Sequence, residues 1–210
     1  MTETHDEYRV RMLRKCRQFS FFGIQPIWRP GEGDVEGFCH DEVVRQFHDT
    51  RIQEDGGKRV EGMINAWRYA EAQAIHTPTI EDVQALGEHV EPDYNRRGEW
   101  RHENVYIGDR MGVYPPFLIQ VMEKLIERAP HVEPGTSRAS LPNELQIEAV
   151  ASDGQFDELV HTVDDWYLAY EWVHPFRDGN GRTGKILHNW LGGTLDEPVL
   201  VQDYFGGGNP

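Results

Sequence analysis

The stretch HPFRDGNGRTGK, at residues 174–185, constrains the fold of this chain more than any other part of the sequence. Four apolar residues before it recur at helical spacing: Leu159, Val163, Trp166 and Tyr170. Four apolar residues after it form a similar pattern: Ile186, Leu187, Trp190 and Leu191. Because the residue before a proline avoids the α region, the first helix is predicted to end at His174. The stretch therefore predicts a helix–loop–helix unit with its glycines at the start of the second helix.

The Gly-Asn-Gly part of this loop suits the binding of phosphate. Gly179 and Gly181 permit positive φ angles and a close approach of the backbone to a ligand. Successive backbone N–H groups can form a concave anion site. The positive end of the second helix's dipole would point to the same place. The loop is therefore predicted to bind a polyphosphate.

The polar side chains of the stretch complete such a site. Asp178 offers a carboxylate, and Mg²⁺ is normally held by one or two carboxylates together with phosphate oxygens. Arg182 and Lys185 are predicted on one face of the helix, and the side-chain amide of Asn180 can donate to a phosphate. His174 is the group in this stretch that can act as a base near neutral pH. The alternative interpretation is a turn between two core helices, with His174 buried as a structural histidine.

The chain has 210 residues and a formal net charge of −15. The length suits one well-packed domain with an extension. The negative charge argues against a nucleic-acid partner, which needs a basic surface, but a nucleotide needs only a local cationic pocket. Cys16 and Cys39 are too few for a disulfide framework and favour a reducing cytosol. Without an apolar run of transmembrane length or a signal-peptide core, we expect a cytoplasmic protein with no membrane partner.

Turn residues predict how the chain divides. Asp55-Gly56-Gly57 predicts a turn and a boundary near residue 56. Three segments are expected: residues 1–55, an N-terminal extension that packs on the core; residues 56–205, the main domain; and residues 206–210, a tail. Four residues of types that bind metals match no standard zinc spacing: His40, Asp41, His48 and Asp49. Asp41 is predicted instead to cap a solvated helix.

Periodicity and capping residues predict the other elements. Apolar spacing predicts a helix over residues 58–75, and Thr79 is predicted to N-cap the next helix. Alternating apolar residues predict a short hairpin over residues 98–108. Pro115-Pro116 predicts the start of a third helix. The apolar face of that helix is predicted to contain Leu118, Met122 and Leu125.

The stretch resembles the signature of the Fic family (filamentation induced by cAMP), HPFx[D/E]GNGRxxR. Eight of the nine defined positions match: His174, Pro175, Phe176, Asp178, Gly179, Asn180, Gly181 and Arg182. The departure is Lys185, where the family has an arginine. Upstream, Gly98, Trp100 and Arg101 are similar to the stretch that leads into a two-stranded flap in family members. The resemblance covers roughly residues 57–204, and it implies a mostly α fold, a Fic-like helical core with a short β-hairpin flap.

The resemblance also implies a reaction. Fic enzymes mostly transfer AMP from ATP to a Tyr, Thr or Ser hydroxyl of a protein, and self-modification is a further expectation here. By this resemblance His174 would take the proton of the hydroxyl, and Asp178 would hold Mg²⁺. The residues expected to bind the nucleotide are Gly179, Asn180, Gly181, Arg182 and Lys185. Because lysine lacks the bidentate fork of arginine, a weaker hold on the γ-phosphate is expected at Lys185.

The resemblance also assigns a role to the flap. Its residues in this chain are Arg101, Val105, Tyr106 and Ile107. An exposed strand edge can pair with an extended target segment and so place a hydroxyl near His174. The alternative is a hairpin that only covers the core.

Many Fic proteins are held inactive by a helix with the pattern [S/T]xxxE[G/N], whose glutamate pairs with the last motif arginine. The segment Gly57-Lys58-Arg59-Val60-Glu61-Gly62 resembles it, with glycine in place of the hydroxyl residue. The resemblance therefore implies that Glu61 is an inhibitory residue that pairs with Lys185 or Arg182. Because the hydroxyl residue is missing, we expect partial rather than complete autoinhibition.

Two other functions remain open from the sequence. The first is transfer of another phosphate-containing group, such as UMP, phosphocholine or phosphate. Fic relatives that transfer phosphocholine or phosphate depart within the glycine-containing loop, whereas Asp-Gly-Asn-Gly-Arg is intact here, which favours AMP. The second is a catalytically weak regulatory or antitoxin-like module that binds a nucleotide, and Lys185 is the motif residue that supports it.

Overall fold

The computed structural model describes residues 33–46, 52–107, 110–131 and 160–201. In chain order the elements are α1 (Val35–Gln46), α2 (Ile52–Gln73), α3 (Ile80–Val90), β1 (Tyr106–Ile107), β2 (Arg110–Met111), a 3₁₀ turn (Pro115–Phe117), α4 (Leu118–Arg128), a second 3₁₀ turn (Ala129–His131), α5 (Val163–Val173) and α6 (Asn180–Gly192). The predictions for the chain before residue 33, for the tail, and for Cys16, His48, Asp49 and Leu159 lie outside the described residues.

The predicted fold class is confirmed, because helices dominate and a short hairpin accompanies them. The hairpin pairs β1 and β2 antiparallel, with Tyr106 opposite Met111 and Ile107 opposite Arg110. Its first strand lies within the predicted range of 98–108, whereas its second strand lies beyond that range. The earlier part of that range is held elsewhere, since the Arg101 N–H donates to the Pro175 carbonyl at 3.1 Å.

Helix α2 runs through Asp55-Gly56-Gly57, so the predicted turn at those residues is wrong. Glycine weakens a helix interior by about 1 kcal/mol each relative to alanine, but tertiary packing can override that preference. Here α2 packs against α1, α3 and α6. Its buried face consists of Met63, Ala66, Trp67 and Ala70. The domain boundary predicted near residue 56 therefore falls inside a continuous helix, while the division into three segments stays a prediction.

Three tryptophan indoles on the helices donate hydrogen bonds to backbone carbonyls that are distant in the sequence. Trp67 Nε1 donates to the Leu195 carbonyl at 3.0 Å. Trp166 Nε1, on α5, donates to the carbonyl of Leu125 on α4 at 2.8 Å. Trp190, on α6, donates through Nε1 to the His76 carbonyl at 2.9 Å. Because a buried indole N–H needs an acceptor, these bonds hold one helix against another at Leu125 and a helix against a connecting segment at Leu195 and His76.

Side-chain caps set where the helices begin. Thr79 caps α3 in a capping box with Asp82, as predicted. Thr162 caps α5 in the same way with Asp165. The predicted cap Asp41 is wrong, because Asp41 lies within α1 and is buried. No helix of the described ranges has both the length and the apolar composition needed to cross a membrane.

A pair of glycine substitutions tests how tightly the loop before α6 is packed. A Cβ on Gly87 in α3 would overlap the ring of Phe176, whereas a Cβ on Gly57 in α2 would meet nothing within 4 Å. Gly87→Ala should therefore lower the free energy of unfolding by about 1–3 kcal/mol through overpacking. Gly57→Ala should raise it by about 0.5–1 kcal/mol through helix propensity. Urea denaturation of both variants measures this, and wild-type stability of Gly87→Ala would contradict the packing.

Candidate active site

His174 ends α5 in an unusual backbone conformation. Its φ is 52°, and no other non-glycine residue among those that the structure describes has a positive φ. The half-buried ring makes a 3.1 Å hydrogen bond between Nδ1 and the Glu171 carbonyl. Because a carbonyl can only accept, Nδ1 carries the hydrogen, and Nε2 of the neutral ring keeps its lone pair. The geometry therefore presents an imidazole that can accept a proton at Nε2.

Burial, with a smaller contribution from the positive charge of Arg101, lowers the pKa of His174 to about 4. The hydrogen bond to the Glu171 carbonyl and the negative charge of Asp178 act in the opposite direction. The ring is therefore uncharged at neutral pH, which is the state that a general base needs.

The loop between the helices is braced by its own asparagine. Asn180 Oδ1 accepts from the Phe176 N–H at 2.8 Å, and Asn180 Nδ2 donates to the Phe176 carbonyl at 2.9 Å. In this structure the amide is buried and holds the loop, and its predicted donation to a phosphate stays a prediction. Gly179 has a φ of 80°, and a Cβ there would lie 2.7 Å from Val90 Cγ1. Only glycine fits at that position.

The start of α6 lies where the sequence predicts an anion site. The helix begins at Asn180, and the first N–H groups of a helix have no acceptor within the helix. Gly181 is half-buried, so its backbone is accessible from outside. Asp178 lies beside this helix end with its side chain 40% exposed, and its Oδ1 accepts from the Gly179 N–H at 2.6 Å. The loop thus brings together a carboxylate, a neutral histidine and a helix N-terminus.

Arg182 is buried and lies against the end of α3. Its side chain is 1% exposed, and its Nη2 lies 2.5 Å from Glu91 Oε1. Glu91 also lies 3.1 Å from Arg59 Nη1, and both arginines lie 3.6 Å from the carboxylate of Asp178. Two arginines and two carboxylates therefore share one network. Burial lowers the pKa of Arg182, while Glu91 acts to raise it.

Lys185 is buried as well, with its side chain 2% exposed and its Nζ 2.5 Å from Glu42 Oε2 on α1. Glu171 on α5 also faces this ammonium group. Burial raises the pKa of Glu171 to about 7, and the charge of Lys185 limits the rise. Its Oε1 is buried and accepts no hydrogen bond from the described residues. The ammonium group of Lys185 therefore lies in the field of two carboxylates from different helices.

Glu61 does not take part in this arrangement. It is exposed on α2, and it makes no ion pair with Lys185 or Arg182. The predicted contact is wrong because of helical phase. The buried face of α2 contains Met63 and Trp67, and a residue two positions before Met63 points away from it. The same helix instead contributes Arg59 to the loop network.

The four predicted flap residues separate into different environments. Arg101 is buried and 3% exposed, so its assignment to a docking surface is wrong. Its guanidinium group donates to backbone carbonyls instead. Val105 and Ile107 are half-buried, whereas Tyr106 is 70% exposed. Among the four predicted flap residues, Tyr106 is therefore the one whose side chain is most accessible to another chain.

Sequence reasoning missed the residues that pair with the two motif cations. Glu42 and Glu91 are acids on or beside amphipathic helices, and such acids are ordinarily solvated. A weak signal existed in the spacing of α1, because Glu42 lies next to Val43 and within one turn of Phe38 and Cys39, which are all buried. A glutamate on the apolar side of a helix predicts a buried partner.

Comparison with known proteins identifies the family. The model of the Fic/DOC family matches residues 41–191, which is most of the chain and contains the loop and its paired carboxylates. The chain belongs to the Fic/DOC family. Protein adenylyltransferase Fic of Drosophila ananassae is 30% identical over 160 residues, covering 70% of this chain and 28% of the relative. The protein of the same name from Drosophila melanogaster gives the same values. The chain thus spans less than a third of the length of the curated relatives that it matches.

A solved structure shares the fold. Fic-1 from C. elegans, in a fragment of residues 134–508, superimposes with a TM-score of 0.50 and 18% identity. The match covers 91% of this chain and 59% of that chain. At this identity the likeness concerns the fold of the helical core alone.

The ionisation of His174 can be measured directly. Because burial lowers its pKa to about 4, its ring resonances should titrate near that pH in NMR spectra recorded without nucleotide. The lowered pKa of His174 also determines whether stability rises or falls with pH. Between pH 6.5 and about 4 the unfolded chain binds a proton that the folded chain does not, so this residue's contribution to stability falls as the pH drops through that window. The His174→Gln spectrum identifies the resonances, and a midpoint at or above 6.5 would contradict the burial.

Proposed function

We propose that the chain is a protein adenylyltransferase, which transfers AMP from ATP to a Tyr, Thr or Ser hydroxyl of a protein. The observation that carries the proposal is the uncharged His174 ring placed directly before a loop that ends in a helix N-terminus. The relatives named protein adenylyltransferase Fic support the same reaction. Modification of the chain's own hydroxyl groups is part of the proposal.

The proton transfer is assigned to His174. Its Nε2 takes the proton of the target hydroxyl while Nδ1 stays bonded to the Glu171 carbonyl. The hydroxyl oxygen then forms a bond to the α-phosphorus, and the bond from that phosphorus to the bridging oxygen of pyrophosphate breaks. Negative charge grows on the leaving pyrophosphate. The first-turn N–H groups of α6, at Asn180 and Gly181, stabilise it.

Magnesium fits this loop. Among the described residues no three His, Cys, Asp or Glu side chains cluster as a complete metal site. Asp178 alone offers a partly exposed carboxylate, and one carboxylate with phosphate oxygens is the usual donor set for Mg²⁺. Asp178 would therefore hold the ion together with the nucleotide. When bound, the ion would neutralise charge on the phosphates.

The flap is proposed to hold the target. Tyr106 is 70% exposed, and its partner across the hairpin, Met111, is 39% exposed. The hairpin has two strands, so the outer edge of β1 has no neighbouring strand among the described residues. An extended target segment can add to such an edge through backbone hydrogen bonds. This would bring its hydroxyl toward His174.

Autoinhibition is proposed to come from Glu42. Its carboxylate holds Lys185 in a pair in which both side chains are at most 2% exposed. A buried pair of this kind is screened little by water, so a phosphate would have to compete with Glu42 for the same cation. Glu91 competes in the same way at Arg182. The enzyme is therefore proposed to bind ATP with a poorly held γ-phosphate until α1 moves.

The second candidate function is a regulatory module that binds a nucleotide without transfer. The observation that favours it is the engagement of both motif cations by carboxylates, Arg182 by Glu91 and Lys185 by Glu42. In this alternative the carboxylates never leave, and the loop serves only to sense a nucleotide.

Labelled ATP separates the candidates. The purified chain is incubated with Mg²⁺ and ATP labelled at the α- or the γ-phosphate. We expect the protein to retain label from the α-phosphate. Retention of label only from the γ-phosphate would contradict AMP transfer and indicate phosphate transfer instead. His174→Ala should lower AMP incorporation by about 10²–10⁴-fold and leave Mg·ATP affinity unchanged. The control is His161→Ala, an exposed histidine at the opposite end of α5. Equal transfer in both variants would remove His174 from the mechanism.

The inhibitory assignment is tested by Glu42→Gln, which removes the negative charge and keeps the shape. AMP incorporation should rise, because the amide holds Lys185 less strongly than the carboxylate does. Glu61→Gln is the matched control and should leave incorporation unchanged, since Glu61 is exposed and faces no motif cation. Thermal melting of both variants checks that the buried lysine remains tolerated. Activation by Glu61→Gln but not by Glu42→Gln would reverse the assignment.

A further inference from the structure

Arg101 connects the flap to the end of α5 through backbone carbonyls alone. Its Nε donates to the His174 carbonyl at 2.6 Å, and its Nη2 donates to the Val173 carbonyl at 3.3 Å. On the flap side, Nη2 donates to the Val113 carbonyl at 2.5 Å, and Nη1 donates to the Glu103 carbonyl at 2.7 Å. Glu103 precedes β1 and Val113 follows β2, so one guanidinium group binds both ends of the hairpin and the residue that carries the base.

The charge of Arg101 suits this position. The carbonyls of Val173 and His174 lie at the negative end of the α5 dipole, where a cation is favourable. Burial lowers the pKa of Arg101 to about 10, so the group still carries its charge at neutral pH. The groups that face His174 are Arg101, the Glu171 carbonyl and Asp178. Arg101 is the positive charge among them, and it favours the neutral ring.

Gly112 gives a second contact between flap and base. A Cβ at Gly112 would lie 3.1 Å from Arg101 Nη2, 3.3 Å from His174 Cβ and 3.3 Å from Val105 Cγ2. Its N–H donates to the Val105 carbonyl at 3.0 Å, which closes the base of the hairpin. The flap backbone therefore packs directly on the side chain of His174, and an added carbon atom would fit only if its neighbours moved by a few tenths of an ångström.

We propose that Arg101 is a positioning residue for His174, which holds the flap base and the left-handed His174 backbone as one rigid unit. A target strand on the flap then has its hydroxyl at a fixed place relative to Nε2 of His174. The proposal rests on the proposed transfer of AMP for one of its readouts. It assigns Arg101 to the alignment of base and acceptor rather than to contact with the target or the nucleotide.

The test uses Arg101→Met and Arg101→Lys in the full chain. Arg101→Met should lower kcat for AMP transfer by about 10²-fold through misalignment and leave Mg·ATP affinity unchanged. It should also raise the pKa of His174, because a nearby positive charge is lost. Arg101→Lys should keep much of the charge effect on His174 but not kcat, since lysine lacks the fork that spans several carbonyls. The matched control is Arg128→Met, which removes an arginine that donates to the Val160 carbonyl at 2.7 Å; it should change neither readout.

Gly112→Ala is a second variant that leaves Arg101 in place. It should lower kcat without a loss of Mg·ATP affinity, because the added methyl group pushes the flap base away from His174. The His174 titration needs no nucleotide and no target, so it separates this proposal from the proposed function. Absence of AMP transfer in the wild type would contradict the proposed function but not the positioning role of Arg101. An unchanged His174 titration in folded Arg101→Met, or wild-type kcat in both Arg101→Met and Gly112→Ala, would overturn the positioning role.

Discussion

The need to pair two buried cations organises this structure. Helix α6 carries Arg182 and Lys185 into the interior, where an unpaired charge would cost several kcal/mol. Two carboxylates from different parts of the chain meet them, Glu91 after α3 and Glu42 on α1. The helices that surround α6 are therefore held to it by charge as well as by apolar packing. In the proposed function, the same pairs determine how much positive charge the loop can offer to a phosphate.

The chemistry of the loop depends on a balance between burial and exposure. His174 is buried enough to stay uncharged at neutral pH, whereas the side chain of Asp178 is 40% exposed. Between them the backbone is rigid, because the side chain of Asn180 is bonded on both sides to Phe176. This rigidity would serve the proposed transfer of AMP, because reacting groups must be aligned before a reaction begins.

Local patterns predicted the local parts of this structure. The two helices around the loop, the cap at Thr79 and the glycine conformation at Gly179 follow from residue spacing and backbone sterics within a few residues. The ion-pair partners did not follow, because a buried glutamate such as Glu42 looks like a solvated one until the fold brings a cation to it. The error at Glu61 was avoidable, since the apolar residues of α2 already placed it on the outer face.

The buried pair of Glu42 and Lys185 also constrains how this sequence can change over generations. Both side chains are at most 2% exposed, so replacing either alone removes a close buried counter-charge from the other, a loss that typically costs about 3–5 kcal/mol. A cost of that size is a large fraction of the total stability of a typical domain. The two positions, 143 residues apart in the chain, are therefore expected to change together more often than separately. A descendant with a neutral residue at position 42 should also have lost the lysine at 185.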